Sequence, residues 1–192
     1  VSNMTPVQKV EVVKKAVLLR GVRQHKVIRA FENTYYKFDI VANFGIYRDL
    51  HRHRMLTQER QRFTTELGYD IPGDLINSKL DKMFVTAAEK VDKFYRKVSK
   101  DMPDAAQYAV ILGNRMRWYQ WQNLRELTWE AELRAGPQGH PDYRKIEHLK
   151  VEAVKAKHPA LVNVMSFVDY NDYDLARRES EKKIDRKLGL AK

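Results

Sequence analysis

Two arginines flank a histidine at Arg52-His53-Arg54, a triplet that closely follows an apolar run beginning at Ile40. Like charges repel, so packing this triplet costs stability unless an anion lies between the guanidinium groups. Phosphates, carboxylates and electron-rich cofactor rings are the candidate partners. One hypothesis is therefore a segment that binds an anion or a cofactor. The alternative is an amphipathic helix over residues 40–54 with a solvated basic face, and the sequence leaves both open.

A second region combines flat aromatic rings with amide and guanidinium groups. All three tryptophans of the chain lie within twelve residues, at Trp118, Trp121 and Trp129. The same region holds an asparagine and two arginines: Asn123, Arg125 and Arg134. Such a set suits a heteroaromatic ring that carries phosphates. For the tryptophans alone, the simpler interpretation is a buried aromatic stripe with arginines that reach the solvent.

Other kinds of site find little support in the sequence. The six histidines never form a His-Glu-x-x-His spacing, so no metal site is predicted. The eight glycines form no phosphate-binding loop, and no serine lies in a glycine-rich elbow. The chain has no cysteine, which excludes disulfides, thiolate metal sites and cysteine nucleophiles.

The composition predicts a folded, basic protein. Of its residues 43% are hydrophobic, and 36 Lys+Arg against 25 Asp+Glu give a formal net charge of +11. The charge predicts anionic partners such as nucleotides or an acidic subunit. A nucleic-acid-binding module is an alternative hypothesis that the charge permits, but the sequence shows no recognised reading motif, which disfavours it. No apolar run is long enough for a membrane span and no signal peptide opens the chain, so we expect a cytoplasmic protein without a membrane partner.

Sequence signals place helices and strands along the N-terminal half. Thr5 and Pro6 predict the cap and first turn of a helix that ends near Gly21. The following predictions are a strand over 34–41, a helix over 42–54, a strand over 61–71 and a helix over 80–99.

The C-terminal half is predicted to be mainly helical. Residues 105–135 form the longest helical pattern, with a break near Gly113. A loop over 136–141 and a helix over 143–157 follow, and then a charged tail that favours a solvated helix. The fold class is therefore α+β. We expect one domain over residues 1–173 and a charged helical tail over 174–192.

These segments together resemble the flavin-dependent thymidylate synthases. That family carries Arg-His-Arg, then seven residues, then Ser, and shortly afterwards Arg-Tyr. It also carries a Pro-Phe-Glu-His segment upstream, and a long helix with Asn-x-Arg and a later Leu-Arg. The matching positions here are Arg52-His53-Arg54, Phe31-Glu32, Asn123-Leu124-Arg125 and Leu133-Arg134. The resemblance covers about residues 10–168.

The resemblance implies a small antiparallel sheet with a long-helix bundle, and an enzyme of dTMP biosynthesis. Family members take a methylene group from methylenetetrahydrofolate, pass it to dUMP and reduce it through FAD, with NADPH as reductant. The flavin carries the redox chemistry, so no protein nucleophile is needed. The sites lie where subunits of a homotetramer meet, which implies a homo-oligomer or a second similar domain.

The resemblance also implies roles for individual residues. FAD would be held by Arg52, His53, Arg54, Glu32, Asn123 and Arg125. The substrate dUMP would be bound by Arg134, Glu59 and Arg62.

The chain departs from the family pattern mainly on the nucleotide side. Counting seven residues beyond the triplet reaches Arg62 instead of Ser; with two residues deleted, Arg60 takes the Ser position and Arg62-Phe63 the Arg-Tyr pair. The Gln before the triplet becomes Asp49, and an Arg upstream on the long helix becomes Gln107. The family's first strand has no counterpart. A second hypothesis is therefore a non-catalytic, degenerate domain of the same fold that acts structurally or in a larger duplicated protein.

Overall fold

The computed structural model describes residues 3–173 and 176–189. Within these residues, the helices are α1 (Pro6–Val17), α2 (Phe44–Leu50), α3 (Lys79–Val98), α4 (Pro103–Ala106), α5 (Leu124–Arg134), α6 (Pro141–Lys157) and α7 (Ala176–Lys187). The strands are β1 (Tyr35–Asn43), β2 (Thr57–Arg60) and β3 (Arg115–Asn123). Short 3-10 helices lie at Arg29–Asn33, Gly73–Leu75, Gln107–Ala109 and Leu161–Val164. The α+β class with a small antiparallel sheet is confirmed.

The chain divides into two compact units. We call residues 1–35 and 122–192 the terminal unit, and residues 36–121 the central unit. Buried apolar side chains of the terminal unit include Val27, Phe31, Leu124, Leu127, Ala131, Val151, Val154 and Val164. Those of the central unit include Ile40, Ile46, Leu50, Ala88, Tyr95, Met116 and Trp118. The predicted boundary between residues 173 and 174 touches residues 174–175, which lie outside the described residues.

The sheet has the strand order β1-β3-β2, so β3 is central. Strand β2 pairs antiparallel with β3, with Thr57 opposite Trp121 and Arg60 opposite Trp118. Buried and exposed side chains alternate along β3, as expected for a sheet with one covered face.

The predicted helix over 105–135 is wrong in its first two thirds. That stretch contains α4, a 3-10 turn and the whole of β3 before α5 begins. The reason is the period-2 alternation that starts at Arg115 and places Met116 and Trp118 on the buried face while Trp121 is 50% exposed. Aromatic side chains favour such a half-buried strand over a helix. The first two tryptophans therefore lie on opposite faces of a sheet and form no helical stripe.

Two further predictions in the central unit are corrected. The predicted helix over 42–54 is limited to α2, because Asn43 still belongs to β1 and caps the helix by accepting the Ile46 N–H at 3.0 Å. The predicted strand over 61–71 is wrong, since β2 ends at Arg60. Residues 61–71 turn through Gly68, whose φ of 73° interrupts an extended strand.

Other predicted elements are confirmed. Helix α1 begins at Thr5, whose hydroxyl and backbone form a capping box with Gln8. Helices α3 and α6 match the predicted ranges to within two residues, and α7 is the predicted tail helix over Ala176–Lys187.

Candidate functional site

The Arg-His-Arg triplet follows α2 and is divided between interior and solvent. His53 is 7% exposed, and its backbone N–H donates to the Leu50 carbonyl at 3.2 Å. Arg52 and Arg54 are exposed, and Arg52 Nη2 donates to Asp49 Oδ1 at 2.8 Å. The two guanidinium groups are therefore solvated, as the alternative interpretation predicted, and an anion from solvent can reach them. The histidine between them is buried.

A guanidinium–carboxylate pair joins two of the predicted cofactor residues in the terminal unit. Arg125 Nη1 donates to Glu32 Oε1 at 2.9 Å, and Arg125 Nε donates to the Val27 carbonyl at 2.8 Å. Arg29 Nε also donates to Glu32, at 3.2 Å. The hydrogen bond from Arg29, aided by the charge of Arg125, holds the pKa of Glu32 below its ordinary value. Glu32 is therefore an anion that orients Arg125.

Arg125 lines a cavity of about 240 Å³ in the terminal unit, between the segment 20–27 and α5. We call it the arginine cavity; its lining includes Arg20, Arg23, Lys26, Arg125, Trp129 and Glu132. The Arg23 guanidinium lies 5.7 Å from the centre of the Trp129 ring. Arg23 Nη1 is buried without a hydrogen-bond partner, and such a buried donor is costly unless a ligand or water accepts from it.

Arg20 lines this cavity and is held in place by hydrogen bonds. Its Nη1 and Nη2 donate to the two carboxylate oxygens of Glu132 at 2.9 and 2.6 Å, and Nη1 also reaches the Val164 carbonyl at 2.8 Å. The two side chains are 6% and 1% exposed. Because Glu132 neutralises Arg20, the positive charge that the lining offers to a ligand comes from other residues, among them Arg23 and Lys26.

Sequence reasoning missed Arg20, Arg23 and Trp129 as lining residues. The signal was present as a basic run between α1 and β1 that contains Arg20, Arg23, His25, Lys26 and Arg29. Such a run in an irregular segment is more often solvated, which is why it attracted no prediction.

Asn123 and Arg134, at the two ends of α5, have structural partners. Asn123 is the N-cap, and its Oδ1 accepts the Glu126 N–H at 2.9 Å. The Arg134 guanidinium lies 5.9 Å from the centre of the Tyr143 ring, at the start of α6. Their predicted contacts with flavin and dUMP stay predictions.

A buried charge cluster between α5 and α6 was also missed. Lys150 Nζ donates to Glu130 Oε2 at 2.5 Å and to Glu147 Oε1 at 3.2 Å, and Gln122 Nε2 donates to Glu130 Oε2 at 2.8 Å. Each of these side chains is at most 3% exposed. Burial, and then the charge of Glu130, raises the pKa of Glu147 to about 8. At neutral pH Glu147 is therefore protonated, and Lys150, whose pKa is raised by the charge of Glu130, is an ammonium.

The predicted substrate residues of the central unit lie at β2 and just after it. Glu59 is on β2, opposite Tyr119. Arg62 is exposed and pairs with Asp104, with 2.9 Å between Nη2 and Oδ1.

Next to this pair is a second cavity, of about 420 Å³. We call it the phenylalanine cavity; its lining includes Phe44, Arg60, Phe63, Asp104, Gln107 and Tyr108. The structure thus collects three positions at which the sequence departs from the family pattern: Arg60, Phe63 and Gln107.

Within residues 3–173 and 176–189, no group of three or more His, Asp or Glu side chains is placed to hold a metal ion. No helix there has the length and apolar character needed to cross a membrane.

One family model matches most of this α+β chain. The chain belongs to the thymidylate synthase complementing protein family, whose model matches residues 2–160. It is 46% identical over 162 residues to a UPF0159 protein of Chlamydia muridarum, and the aligned segment covers 84% of this chain and 31% of the relative. A UPF0159 protein of Chlamydia pneumoniae is 40% identical over 172 residues, or 90% of this chain and 32% of the relative.

A more distant organism also carries a relative. A UPF0159 protein of Thermoplasma acidophilum is 36% identical over 174 residues, covering 89% of this chain and 35% of that protein. The chain therefore spans about a third of the length of these curated relatives.

Proposed function

We propose that this chain is a thymidylate synthase domain that uses FAD to methylate dUMP to dTMP, with methylenetetrahydrofolate as carbon donor and NADPH as reductant. Family membership supports the reaction class. The observation that carries the cofactor assignment is the arginine cavity, where Arg125, a family-matched residue, lies beside the unpartnered Arg23 and the aromatic face of Trp129.

The residues of the arginine cavity fit part of FAD. A buried guanidinium donor without a partner suits the phosphate or carbonyl oxygens of an anionic cofactor, and an indole beside it suits a flat ring. At about 240 Å³ the cavity is smaller than the ~300–1,000 Å³ of pockets that enclose whole drug-sized ligands, so it would hold one portion of the cofactor. In the central unit, the exposed Arg52 and Arg54 are proposed as further ligands for an anion.

In this proposal the protein binds and orients, and bound FAD supplies the hydride chemistry. Glu32 holds Arg125 in position through the 2.9 Å pair. Arg134 is proposed to recognise the pyrimidine edge of dUMP, with Arg62 and Glu59 as further substrate contacts. No side chain of the chain has to act as a covalent nucleophile.

The first test is cofactor retention. The purified 192-residue chain is incubated with FAD and desalted, and its visible absorption spectrum is recorded. We expect a retained flavin spectrum that is lost or strongly reduced in Trp129→Ala. Trp121→Ala is the matched control, because Trp121 is similarly exposed (50% against 44%) but lies on β3, away from the cavity lining. A chain that retains no flavin contradicts the proposal.

A second candidate function is a non-catalytic domain of the same fold within a longer protein. It is favoured by the coverage of about a third of each relative and by the altered nucleotide-side residues. The two candidates differ in activity. Retained FAD without conversion of dUMP to dTMP would favour the non-catalytic domain.

A partner of the same kind is part of the proposal. The family sites lie between subunits, so we propose that a homo-oligomer, such as a tetramer, or a second similar domain completes the site. We also propose a cytoplasmic localisation, which is the expectation from the sequence.

A further inference from the structure

Five lysines lie on one exposed side of α3. An α-helix turns by about 100° per residue, so the five positions fall within a sector of about 80°. All five side chains are exposed, and within residues 3–173 and 176–189 none of them forms an ion pair. We call this set the lysine face, and its members are Lys79, Lys82, Lys90, Lys93 and Lys97.

The lysine face destabilises the helix that carries it. Its members are three or four residues apart at several points, and like charges at that spacing repel each other on a helix surface. The carboxylates of α3 give little relief. Asp92 accepts from Arg96 Nε at 2.8 Å, and Asp81 accepts the next backbone N–H at 2.6 Å, so Glu89 is the one remaining carboxylate of the helix. The positive charge of the lysine face is therefore open to an anionic partner.

A row of exposed apolar side chains runs along α3 beside the lysine face. Leu80, Met83 and Phe94 are 52%, 67% and 58% exposed, and Ala87 lies exposed between them. We call these four residues the apolar strip. Their spacing of three, four and seven residues is that of the seam along which one helix packs against another. Single exposed apolar residues are common, whereas such a row beside charged residues is typical of an interaction site.

We propose that α3 docks an acidic amphipathic helix of a protein partner. The apolar side of that helix packs on the apolar strip, and carboxylates along one of its edges pair with the lysine face. A helix is the matching occupant because both rows run parallel to the axis of α3, whose 20 residues span about 30 Å. Charged residues that flank an apolar seam determine which helices pair. The proposal is independent of the proposed function, since α3 lines neither the arginine cavity nor the phenylalanine cavity.

Nucleic acid and anionic lipid also attract lysines, but they match α3 less well. A nucleic acid contacts such a face through its phosphates and leaves the apolar strip in water. A helix that lies on a membrane has its apolar side opposite its basic side. In α3 the side opposite the lysine face carries Ala88 and Tyr95, which are buried in the core of the central unit. The apolar strip instead lies about 90° to one side, which favours a helix that lies alongside.

The test uses a synthetic peptide of three heptads, with Leu at positions a and d and Glu at positions e and g. Its glutamates repel each other at neutral pH, so the peptide alone is largely unfolded. We expect the 192-residue chain to bind the labelled peptide in a fluorescence anisotropy titration and to raise its helical circular dichroism signal. A scrambled peptide of the same composition should bind at least ~10-fold more weakly, because it has the charge but no apolar seam.

Two sets of variants separate the two rows of α3. Lys90→Glu combined with Lys97→Glu should weaken binding by ~10- to 100-fold, and Leu80→Ser by about 10-fold. Lys14→Glu combined with Lys15→Glu is the control for charge, since both lysines are exposed on α1. Leu149→Ser is the control for the apolar strip, because Leu149 on α6 is 57% exposed against 52% for Leu80. Thermal unfolding of each variant verifies that the comparison is made on folded protein.

Three results would overturn the inference. The first is a peptide that does not bind or stays unfolded with the wild-type chain. The second is equal binding of the scrambled peptide, or equal losses in the α3 variants and their controls, which would reduce the effect to general attraction between charges. The third is tighter binding of phosphatidylserine vesicles or of polyuridylate RNA than of the peptide, which would assign the lysine face to a lipid surface or to nucleic acid.

Discussion

Helices α2 and α5 both follow a β-strand directly and both begin at an asparagine that caps the first turn. They differ in whether the charged side chains around them are buried in ion pairs or exposed to solvent. Four charged groups that contact or belong to α5 are buried in two ion pairs: Arg20 with Glu132, and Lys150 with Glu130. The charged residues after α2, from Arg52 to Arg62, are mainly exposed, and the ion pairs of Arg52 with Asp49 and of Arg62 with Asp104 lie at the surface.

This difference separates structural charge from charge that is open to a ligand. A buried pair is fixed in one geometry, and removing one partner leaves an uncompensated ion inside the protein. An exposed arginine contributes little to stability and can bind an anion at small cost. We therefore expect substitutions around α5 to act mainly on folding, and substitutions at Arg62 to act mainly on binding.

The largest effect is expected at the buried cluster. Lys150→Met leaves Glu130 and Glu147 buried without their ammonium, and should lower the free energy of unfolding by ~3–5 kcal/mol. Urea denaturation followed by circular dichroism measures the change. Lys155→Met on the same helix is the control, because that exposed lysine pairs with Glu152 on the surface and should stay within about 0.5 kcal/mol of wild type. Equal effects for the two variants would show that the cluster does not hold α5 and α6 together.

The same cluster predicts a pH dependence of stability. Burial and the neighbouring Glu130 raise the pKa of Glu147 to about 8 in the folded chain, against 4.5 for the ordinary group. Between these two pH values the folded state binds more protons than the unfolded state. The free energy of unfolding therefore falls as pH rises towards 8, with a slope of up to ~1.4 kcal/mol per pH unit from this group.

Glu147→Gln isolates this contribution. The amide cannot titrate, so the variant should lose that part of the slope between pH 5 and 8 when unfolding is measured at several pH values. The groups that face Glu147 are Glu130 and Arg134 on α5, Gln122 on β3 and Lys150 on α6. An unchanged slope in the variant would mean that Glu147 is ionised at neutral pH.

The two helix caps give a direct comparison of the units. Asn123→Ala removes one capping hydrogen bond of 2.9 Å and should cost ~1 kcal/mol. Asn43→Ala should cost more, because Asn43 is 8% exposed and its Nδ2 also donates to Asp70 Oδ2 at 3.1 Å. Thermal unfolding of both variants tests the order. A larger loss for Asn123→Ala would assign the greater role to the α5 cap.

Much of the fold could be predicted from local signals, because those signals act within a few residues. Thr5 and Pro6 predict the start of α1, and the apolar spacing of residues 80–99 predicts α3. Strand β3 was assigned to a helix although its period-2 alternation is clear from Arg115 onwards. Long polar and aromatic side chains fit both patterns, and the pairing with β2 and β1 that decides for a strand is not local.

The candidate sites also depend on contacts between residues that are far apart in sequence. The sequence identified Glu32 and Arg125 separately, but their pairing joins residues 93 positions apart. Glu130, Glu147 and Lys150 look like solvated charges in sequence, because burial depends on how α5 packs against α6. Arg60 and Gln107 were recognised as departures from the family pattern, and only the folded chain places them on one cavity.

The smallest expected effect concerns the rim of the phenylalanine cavity. Asp104→Asn removes a carboxylate from the lining and releases Arg62 from its exposed ion pair. Stability should hardly change, because exposed pairs contribute little. Affinity for dUMP should rise a few-fold, because Arg62, a proposed contact of dUMP, is released from Asp104, and calorimetry measures the change. Weaker binding of dUMP would mean that Arg62 needs Asp104 to be positioned.

The most direct test of the proposed function is the release of tritium from dUMP labelled at carbon 5. Methylation replaces that hydrogen, so turnover liberates the label into water. We expect release by the wild-type chain that requires FAD, NADPH and methylenetetrahydrofolate together and is lost in Arg134→Ala. No release from a chain that has retained FAD and binds dUMP would contradict catalysis and leave the non-catalytic domain as the function of this chain.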